Sequence, residues 1–172
     1  MIIEHFFLKV NTSSYFLKDD VVKRALFPGS FDPFTKGHES VLLKALPLFD
    51  EIIIGIGINS NKSSFFELQK RISHIKSLYD SISSVYVQTY QKLTVDFCKE
   101  VNAGFLLRGL RDTNDFEYEK AIAQMNLQIS KVETVFFMTD PAVAPISATI
   151  VREIARNKGD ISFFVTSPSL LY

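Results

Sequence analysis

From residue 22 onward, short apolar runs alternate with stretches in which apolar side chains recur every three or four positions. The runs fall at 23–27, 51–58, 85–89, 105–107 and 134–138. Most are dense in β-branched or aromatic residues and flanked by turn formers, so they predict strands. The second, Glu51-Ile52-Ile53-Ile54-Gly55-Ile56-Gly57-Ile58, shows no polar alternation. Such a strand is covered on both faces, as in a parallel sheet, which requires helices on both sides. Between the runs, Val41, Leu42, Ala45 and Phe49 share one helical face, and Leu68, Ile72, Ile75 and Tyr79 share another. Pro47 should end or bend the first helix near Leu46. Ser64 and Glu67 have capping-box spacing and predict the start of the second helix between them. Further helices are predicted over 94–101 and 114–129, and from Ser147 to Asn157-Lys158-Gly159, where the glycine would take the left-handed closing conformation. This order predicts an α/β fold, a doubly wound parallel sheet of five strands, with ligands held on strand-to-helix loops beyond the carboxyl ends of the strands.

Composition narrows the classes of function. With 47% hydrophobic residues among 172, the chain can bury about 70% of its unfolded surface in one core. Nineteen basic side chains balance nineteen acidic ones, which removes the electrostatic footprint of a general nucleic-acid binder. Any phosphate site must therefore be local. The single cysteine, Cys98, cannot form an intrachain disulfide, and no Cys/His set has structural-zinc spacing, so a reducing cytoplasmic setting is expected. No apolar run is long enough to span a membrane, and Glu4 and Lys9 interrupt the apolar N-terminal patch, which argues against a signal peptide. Neither a nucleic acid nor a membrane is expected as a partner. Residues 1–21 do not join the periodic pattern and are expected to lie outside the fold, with one domain over 22–172. Val22 would be a natural alternative start.

The first strand runs into Phe27-Pro28-Gly29-Ser30-Phe31-Asp32-Pro33-Phe34-Thr35-Lys36-Gly37-His38, and the first helix follows at once. Gly29 and Gly37 permit close backbone approach to a ligand, Ser30 offers a hydroxyl, and His38 stands at a helix N-terminus where free N–H groups attract anions. Taken singly these are parts of a tight turn with a histidine cap. Together, after the first strand of an α/β chain, they suit a phosphate. A dinucleotide fingerprint is excluded, because Ser60 stands at the third glycine position after Gly55-Ile56-Gly57 and the pair lies inside a strand. No Gly-Lys-Ser/Thr triplet marks a Walker loop.

The loop from Pro28 to Asp32-Pro33, followed by Thr35-Lys36-Gly37-His38, resembles the Thr/His-x-Gly-His motif of the nucleotidyltransferase superfamily. Leu107-Arg108-Gly109-Leu110-Arg111 with Asp115-Phe116-Glu117-Tyr118-Glu119 resembles the second signature of the phosphopantetheine adenylyltransferase family, and Pro145-Ile146-Ser147-Ala148-Thr149 resembles its third. The likeness runs from residue 22 to about 160. It implies a Rossmann-like nucleotidyltransferase fold. It also implies transfer of the adenylyl group of ATP to 4'-phosphopantetheine in coenzyme A biosynthesis, by direct in-line attack without a covalent intermediate, giving dephospho-coenzyme A and pyrophosphate. Magnesium (Mg2+) as cofactor, a cytoplasmic location and a homohexamer built as a dimer of trimers follow from the same resemblance.

An attacking phosphate is already mostly dianionic near neutral pH, so the step needs no dedicated base, and catalysis rests on positioning and charge control. By resemblance, His38 is the catalytic residue, donating to the α-phosphate region, and Ser30 contacts both reactants. Lys62 and Arg108 would hold the phosphate end of the acceptor and Thr94 would touch its arm. Arg111 would bind the ATP phosphates, while Phe31, Gly109, Leu110 and Glu119 border the nucleotide. Val143, Ala144, Pro145, Ile146, Ser147, Ala148 and Thr149 would form a lid-like loop and helix start over the triphosphate. No metal ligands are assigned. Simpler roles stand beside these: Lys62 as a solvated loop lysine, Thr94 as a helix cap, Glu119 on a helix surface, and Arg108 and Arg111 in a salt-bridge network with Asp112, Asp115 and Glu117.

Two positions depart from the family pattern. Ala148 stands where a hydroxyl is usual, which should weaken ATP binding, and Ser30 replaces the more frequent threonine but keeps its hydroxyl. His74 is expected on the solvated side of its helix, His5 lies in the extension, and Cys98 reads as a packing residue. The competing readings are a nicotinate-mononucleotide adenylyltransferase, a glycerol-phosphate cytidylyltransferase, and a silent nucleotide or coenzyme A sensor, the last suggested by Ala148.

Overall fold

In the computed structural model, which describes residues 22–59 and 63–172, one parallel sheet runs in the order β3-β2-β1-β4-β5 among the described residues. The strands are β1 (Arg24–Gly29), β2 (Glu51–Gly57), β3 (Val85–Tyr90), β4 (Phe105–Leu110) and β5 (Glu133–Met138). The helices between and after them are α1 (Lys36–Ala45), α2 (Leu68–Tyr79), α3 (Thr94–Glu100), α4 (Thr113–Ser130) and α5 (Ala148–Arg156). β1 sits in the middle, with Ala25 opposite Ile52 of β2 on one side and Phe105 of β4 on the other. The chain winds outward from β1 to β3 and then returns to β4 on the far side. The strand order therefore reverses between β1 and β4, and a crevice opens beyond their carboxyl ends.

Alternation along the central strands sorts the core into two layers. Ala25, Phe27, Ile52, Ile54 and Ile56 pack with Val41, Leu42 and Ile75 of α1 and α2. Leu26 and Ile53 point the other way and pack with Phe97, Cys98 and Ala103. Both faces of β2 are thus covered, as its unbroken apolar run predicts. A third cluster, Phe66, Val151, Ala155, Ile161, Val165 and Leu171, seats α5 and the C-terminal segment beside α2.

Several expected boundaries are corrected. α1 does end before Pro47, in a short 3-10 turn over Leu46–Leu48. The capping box at Ser64 and Glu67 does not form: Glu67 is the N-cap without a side-chain bond, and the Ser64 hydroxyl instead accepts from Arg71 Nη2 at 3.1 Å. Leu93, not Thr94, is the N-cap of α3. The fourth strand runs past the predicted 105–107 to Leu110, which places Arg108 within β4. At the end of α5 the left-handed residue is Lys158, with φ of 61°, not Gly159. Gly159 donates its N–H to the Ile154 carbonyl at 2.9 Å, and a Cβ there would lie 2.7 Å from Ile154 Cγ2, so glycine serves close approach in a Schellman closure.

His74 is fully buried rather than solvated, with Nε2 at 2.6 Å from the Thr166 carbonyl. The C-terminal segment covers that face of α2, a contact no local periodicity announces. Burial pushes His74 below its ordinary pKa, and the Thr166 carbonyl and the Glu39 charge oppose that shift. Residues 1–21, expected outside the fold, and Lys62 both lie outside the described residues.

Candidate active site

The loop leaving β1 turns sharply back into α1. Phe31 sits in the left-handed region at φ 45°. Its ring packs edge-on against His38 at 5.2 Å, and Phe34 lies 5.4 Å from the same imidazole. His38 Nδ1 accepts the Thr35 backbone N–H at 2.9 Å as one arm of a capping box at the start of α1. With Nδ1 accepting, the neutral ring carries its proton on Nε2, and His38 borders a cavity. Burial, and then the charges of Arg108 and Arg111, hold the imidazole pKa down to about 4. At neutral pH His38 is therefore an oriented, uncharged N–H donor. The ring that caps the helix through Nδ1 thus also lines the polar cavity.

Two arginines stand across from this loop. Arg108 donates Nε and Nη2 to the two carboxylate oxygens of Glu119, the first at 2.7 Å, and Nη1 to the Pro28 carbonyl at 2.9 Å. Its partner is thus Glu119, not Asp112, Asp115 or Glu117. The planar fork still has N–H groups to offer a ligand. Arg111 makes a two-point pair with Asp115 at 2.7 and 2.9 Å, and Asp112 caps α4 by accepting the Asp115 N–H at 2.9 Å. The Arg111 pair holds the Asp115 carboxyl below the usual carboxylate range and raises Arg111 in turn. β4 can carry Gly109 at this point because α1 comes so near: a Cβ there would lie 2.5 Å from Val41 Cγ2.

Two adjoining cavities open in the crevice, of about 700 Å3 and about 620 Å3. The larger is polar and is bordered by Phe31, His38, Gly109 and Arg111, and by Ile146, Ser147, Ala148 and Thr149 at the start of α5. The smaller runs between α3 and α4, past Tyr90, Leu93, Thr94, Ile122 and Asn126. Thr94 Oγ1 lies 3.1 Å from the Tyr90 hydroxyl there. Ser30, Arg108 and Glu119 border both cavities. Glu119 is accordingly a nearly buried residue at 9% exposure, not a surface one.

Other expected positions stand apart from the lining. Leu110 is buried in the sheet. Val143 to Ile146 close a turn, with Val143 N–H on the Asp140 carbonyl and Ile146 N–H on the Val143 carbonyl, so Val143, Ala144 and Pro145 border neither cavity. Arg152, not singled out in the sequence, borders the polar cavity and donates to the Asp32 carbonyl at 2.7 Å and to Thr149 Oγ1 at 2.9 Å. Its position three residues after Thr149 on one helix would have signalled it. Tyr118 also borders that cavity, and the spacing of Asp115, Tyr118, Glu119 and Ile122 is that of one helical face. Cys98 is buried, with its thiol pushed up to about 11, which suits packing rather than nucleophilic chemistry.

A sequence profile of the cytidylyltransferase-like family matches residues 26–154. The chain is similar to the phosphopantetheine adenylyltransferase of Christiangramia forsetii, at 49% identity over 144 residues covering 84% of this chain and 95% of that one. The enzyme of that name from Bacteroides fragilis is 44% identical over 144 residues, covering 84% and 96% of the two chains. The one from Leptospira biflexa is 45% identical over 139 residues, covering 80% and 87%. Among solved structures, a bifunctional NMN adenylyltransferase/ADP ribose pyrophosphatase from Francisella tularensis, complexed with AMP and a manganese ion, aligns with a TM-score of 0.64 at 16% identity. That alignment covers 87% of this chain and 46% of the bifunctional one, so the chain spans less than half of its length. A putative nicotinate-nucleotide adenylyltransferase from Vibrio parahaemolyticus aligns with a TM-score of 0.60 at 20% identity over 87% of this chain and 90% of that one. At such identities the structural likeness speaks for the fold alone.

Proposed function

The chain belongs to the cytidylyltransferase-like family and, within it, to the phosphopantetheine adenylyltransferases, and on that premise we propose that it transfers the adenylyl group of ATP to 4'-phosphopantetheine. The observation that carries this reading is the meeting of two adjoining cavities at Ser30 and Arg108, with the neutral His38 donor beside them. The polar cavity suits a triphosphate and the less polar one a long amide-bearing arm. A reaction that joins two phosphates end to end needs such a junction.

In the proposed step, an acceptor phosphate oxygen attacks the α-phosphorus of ATP while the bond to the pyrophosphate oxygen breaks on the opposite side. The acceptor phosphate, with a second pKa of about 6, supplies its own nucleophile. His38 Nε2–H donates to a non-bridging oxygen of the α-phosphate, where charge builds as the centre crowds. Arg111 and the free N–H groups opening α5 balance the departing pyrophosphate. Arg108 and Ser30, and Lys62 by resemblance, hold the acceptor phosphate, and Thr94 lies along its arm. Magnesium fits as part of the nucleotide rather than of the protein. Among the described residues no three His, Cys, Asp or Glu side chains gather as a cage, and the cleft carboxylates Asp115 and Glu119 are engaged by Arg111 and Arg108. Phosphate oxygens and water would supply most of its shell.

On α4, Tyr118 and Ile129 at the cavity rims and Met125 between them are exposed, a surface suited to a subunit contact in the homohexamer we infer. Among the described residues no helix is long and apolar enough to cross a membrane, and the buried free thiol of Cys98 suits the cytoplasm. The deciding experiment offers the protein Mg-ATP with 4'-phosphopantetheine or nicotinate mononucleotide, and CTP with glycerol phosphate. Dephospho-coenzyme A and pyrophosphate are expected from the first pair alone. Product from another pair, or nucleotide binding without any turnover, overturns the proposal.

A further inference from the structure

Arg71, on the first turn of α2, is 4% exposed and borders neither of the two cavities. Its guanidinium nevertheless reaches the loop that does. Nη1 donates to the Ser30 carbonyl at 2.6 Å, Nε to the Phe66 carbonyl at 3.0 Å and Nη2 to Ser64 Oγ at 3.1 Å. From the other side, Arg152 Nη1 donates to the Asp32 carbonyl at 2.7 Å. The Asp32 carboxylate, 6% exposed, accepts the Phe65 and Phe66 N–H groups at 2.7 and 2.8 Å. Two guanidiniums thus grip the carbonyls on either side of Phe31, whose left-handed backbone at φ 45° is one that a phenylalanine keeps only when its surroundings hold it there.

What that grip sets is the junction of the site. Ser30 borders both cavities, and the Phe31 ring packs edge-on against His38. A loop relaxed at Phe31 would move the Ser30 hydroxyl and loosen the imidazole together. The cation is also costly where it sits: its hydrogen bonds go to neutral acceptors in the interior, and the nearby Asp32 carboxylate offsets its burial only in part. An arginine suits this place because its rigid fork serves three acceptors in different directions, whereas an ammonium is a compact point charge on a flexible stem. We propose that Arg71 is a positioning residue for the transfer, holding Ser30 where the two cavities meet and the Phe31 ring against His38, while touching neither substrate. This rests on the reading that the two cavities hold the two reactants.

The test is a double-mutant cycle on the full chain. Arg71→Lys keeps the buried charge but not the fork. Its kcat should fall about ten- to a hundredfold, with both KM values changed much less. Ser30→Ala should then cost about fivefold less in the Arg71→Lys background than in the wild type, because Ser30 is already displaced. Arg24→Lys is the control. Arg24 bonds Glu51 and the Val101 carbonyl at the opposite end of the sheet, so its effects should be additive with Ser30→Ala. Circular dichroism reports folding, and if Arg71→Lys does not fold, Arg71→Gln, a neutral side chain that keeps amide donors, carries the same cycle. Additivity of the Arg71 variant with Ser30→Ala, or a loss that only tracks the unfolded fraction, overturns the assignment in an active enzyme. A wild type that forms no dephospho-coenzyme A overturns the function itself, and the role of Arg71 with it.

Discussion

Arg108 on β4 and Glu119 on α4 are joined by a two-point ion pair, and Glu119 is the one side chain that α4 buries among the described residues. At the rim of both cavities the helix therefore meets β4 through a charge pair, with Phe116 edge-on to Phe136 of β5. The pair orients a guanidinium that still has N–H groups to offer, which suits the phosphate role proposed for it. Its side chains are 33% and 11% exposed, so its worth lies more in geometry than in stability.

Glu119→Ala should leave Arg108 charged but unaimed. The KM for the acceptor is expected to rise about tenfold, with a smaller change in kcat. The double variant Arg108→Ala/Glu119→Ala should be no worse than Arg108→Ala alone. Steady-state kinetics on the four proteins would read this, and independent losses would show that the two residues act separately.

In the proposed step His38→Ala removes a donor whose contact strengthens as charge develops. kcat should drop about a hundred- to a thousandfold, while ATP affinity changes by less than about threefold. The wild-type imidazole should stay neutral, protonated on Nε2, and titrate near 4. Nitrogen-15 NMR of the histidines checks both points, and an imidazolium at pH 6 would refute the donor role described above.

Acid should destabilise the fold well before the carboxylates titrate. Burial holds both His38 and His74 below the ordinary 6.5, His38 at about 4. Below about pH 6.5 the unfolded chain binds protons that the folded chain does not, so stability is full above that pH and declines as pH falls toward 4. Urea midpoints measured from pH 7.5 to 4.5 should fall steadily, and His38→Asn should flatten the slope.

Ala148 opens α5 at the border of the polar cavity without a hydroxyl. Ala148→Ser adds one donor beside the N–H groups at the helix start. ATP affinity should improve between about twofold and tenfold, the range of a single hydrogen bond. Calorimetric titration decides it, and an unchanged affinity would mean that this position does not face the nucleotide.

Gly109→Ala should destabilise by about 1–3 kcal/mol through overpacking against Val41. The added Cβ would lie 2.5 Å from Val41 Cγ2, between α1 and β4. Adding Val41→Ala should recover part of the loss, as chemical denaturation would show. If the second change deepens the loss instead, the strain lies elsewhere.

Much of this architecture was legible along the chain because its causes are local. Parallel strands buried on both faces lose the polar alternation that solvent imposes, so β2 stands out as an unbroken isoleucine run. Pro47 stops α1 through its own ring. The details that escaped were those in which a distant group competes for a local one. Ser64 looked like a helix cap, but Arg71 takes its hydroxyl. His74 looked solvated, but the C-terminal segment lies over it. Gly159 looked like the left-handed residue, but a Schellman closure puts that burden on Lys158 and uses the glycine for contact with Ile154.

The sequence by itself determined the alternation of strands and helices, the loop that joins β1 to α1, and the presence there of a serine, two glycines and a histidine at a helix start. These follow from side-chain shape and spacing within a few residues. Tertiary structure alone decided that Arg108 reaches the Pro28 carbonyl, that Arg71 and Arg152 take the carbonyls on either side of Phe31, and that Ser30 stands between two cavities. Burial, these contacts and the meeting of loops depend on distances between segments far apart in the chain, and those distances exist only once the sheet has brought β1 and β4 side by side.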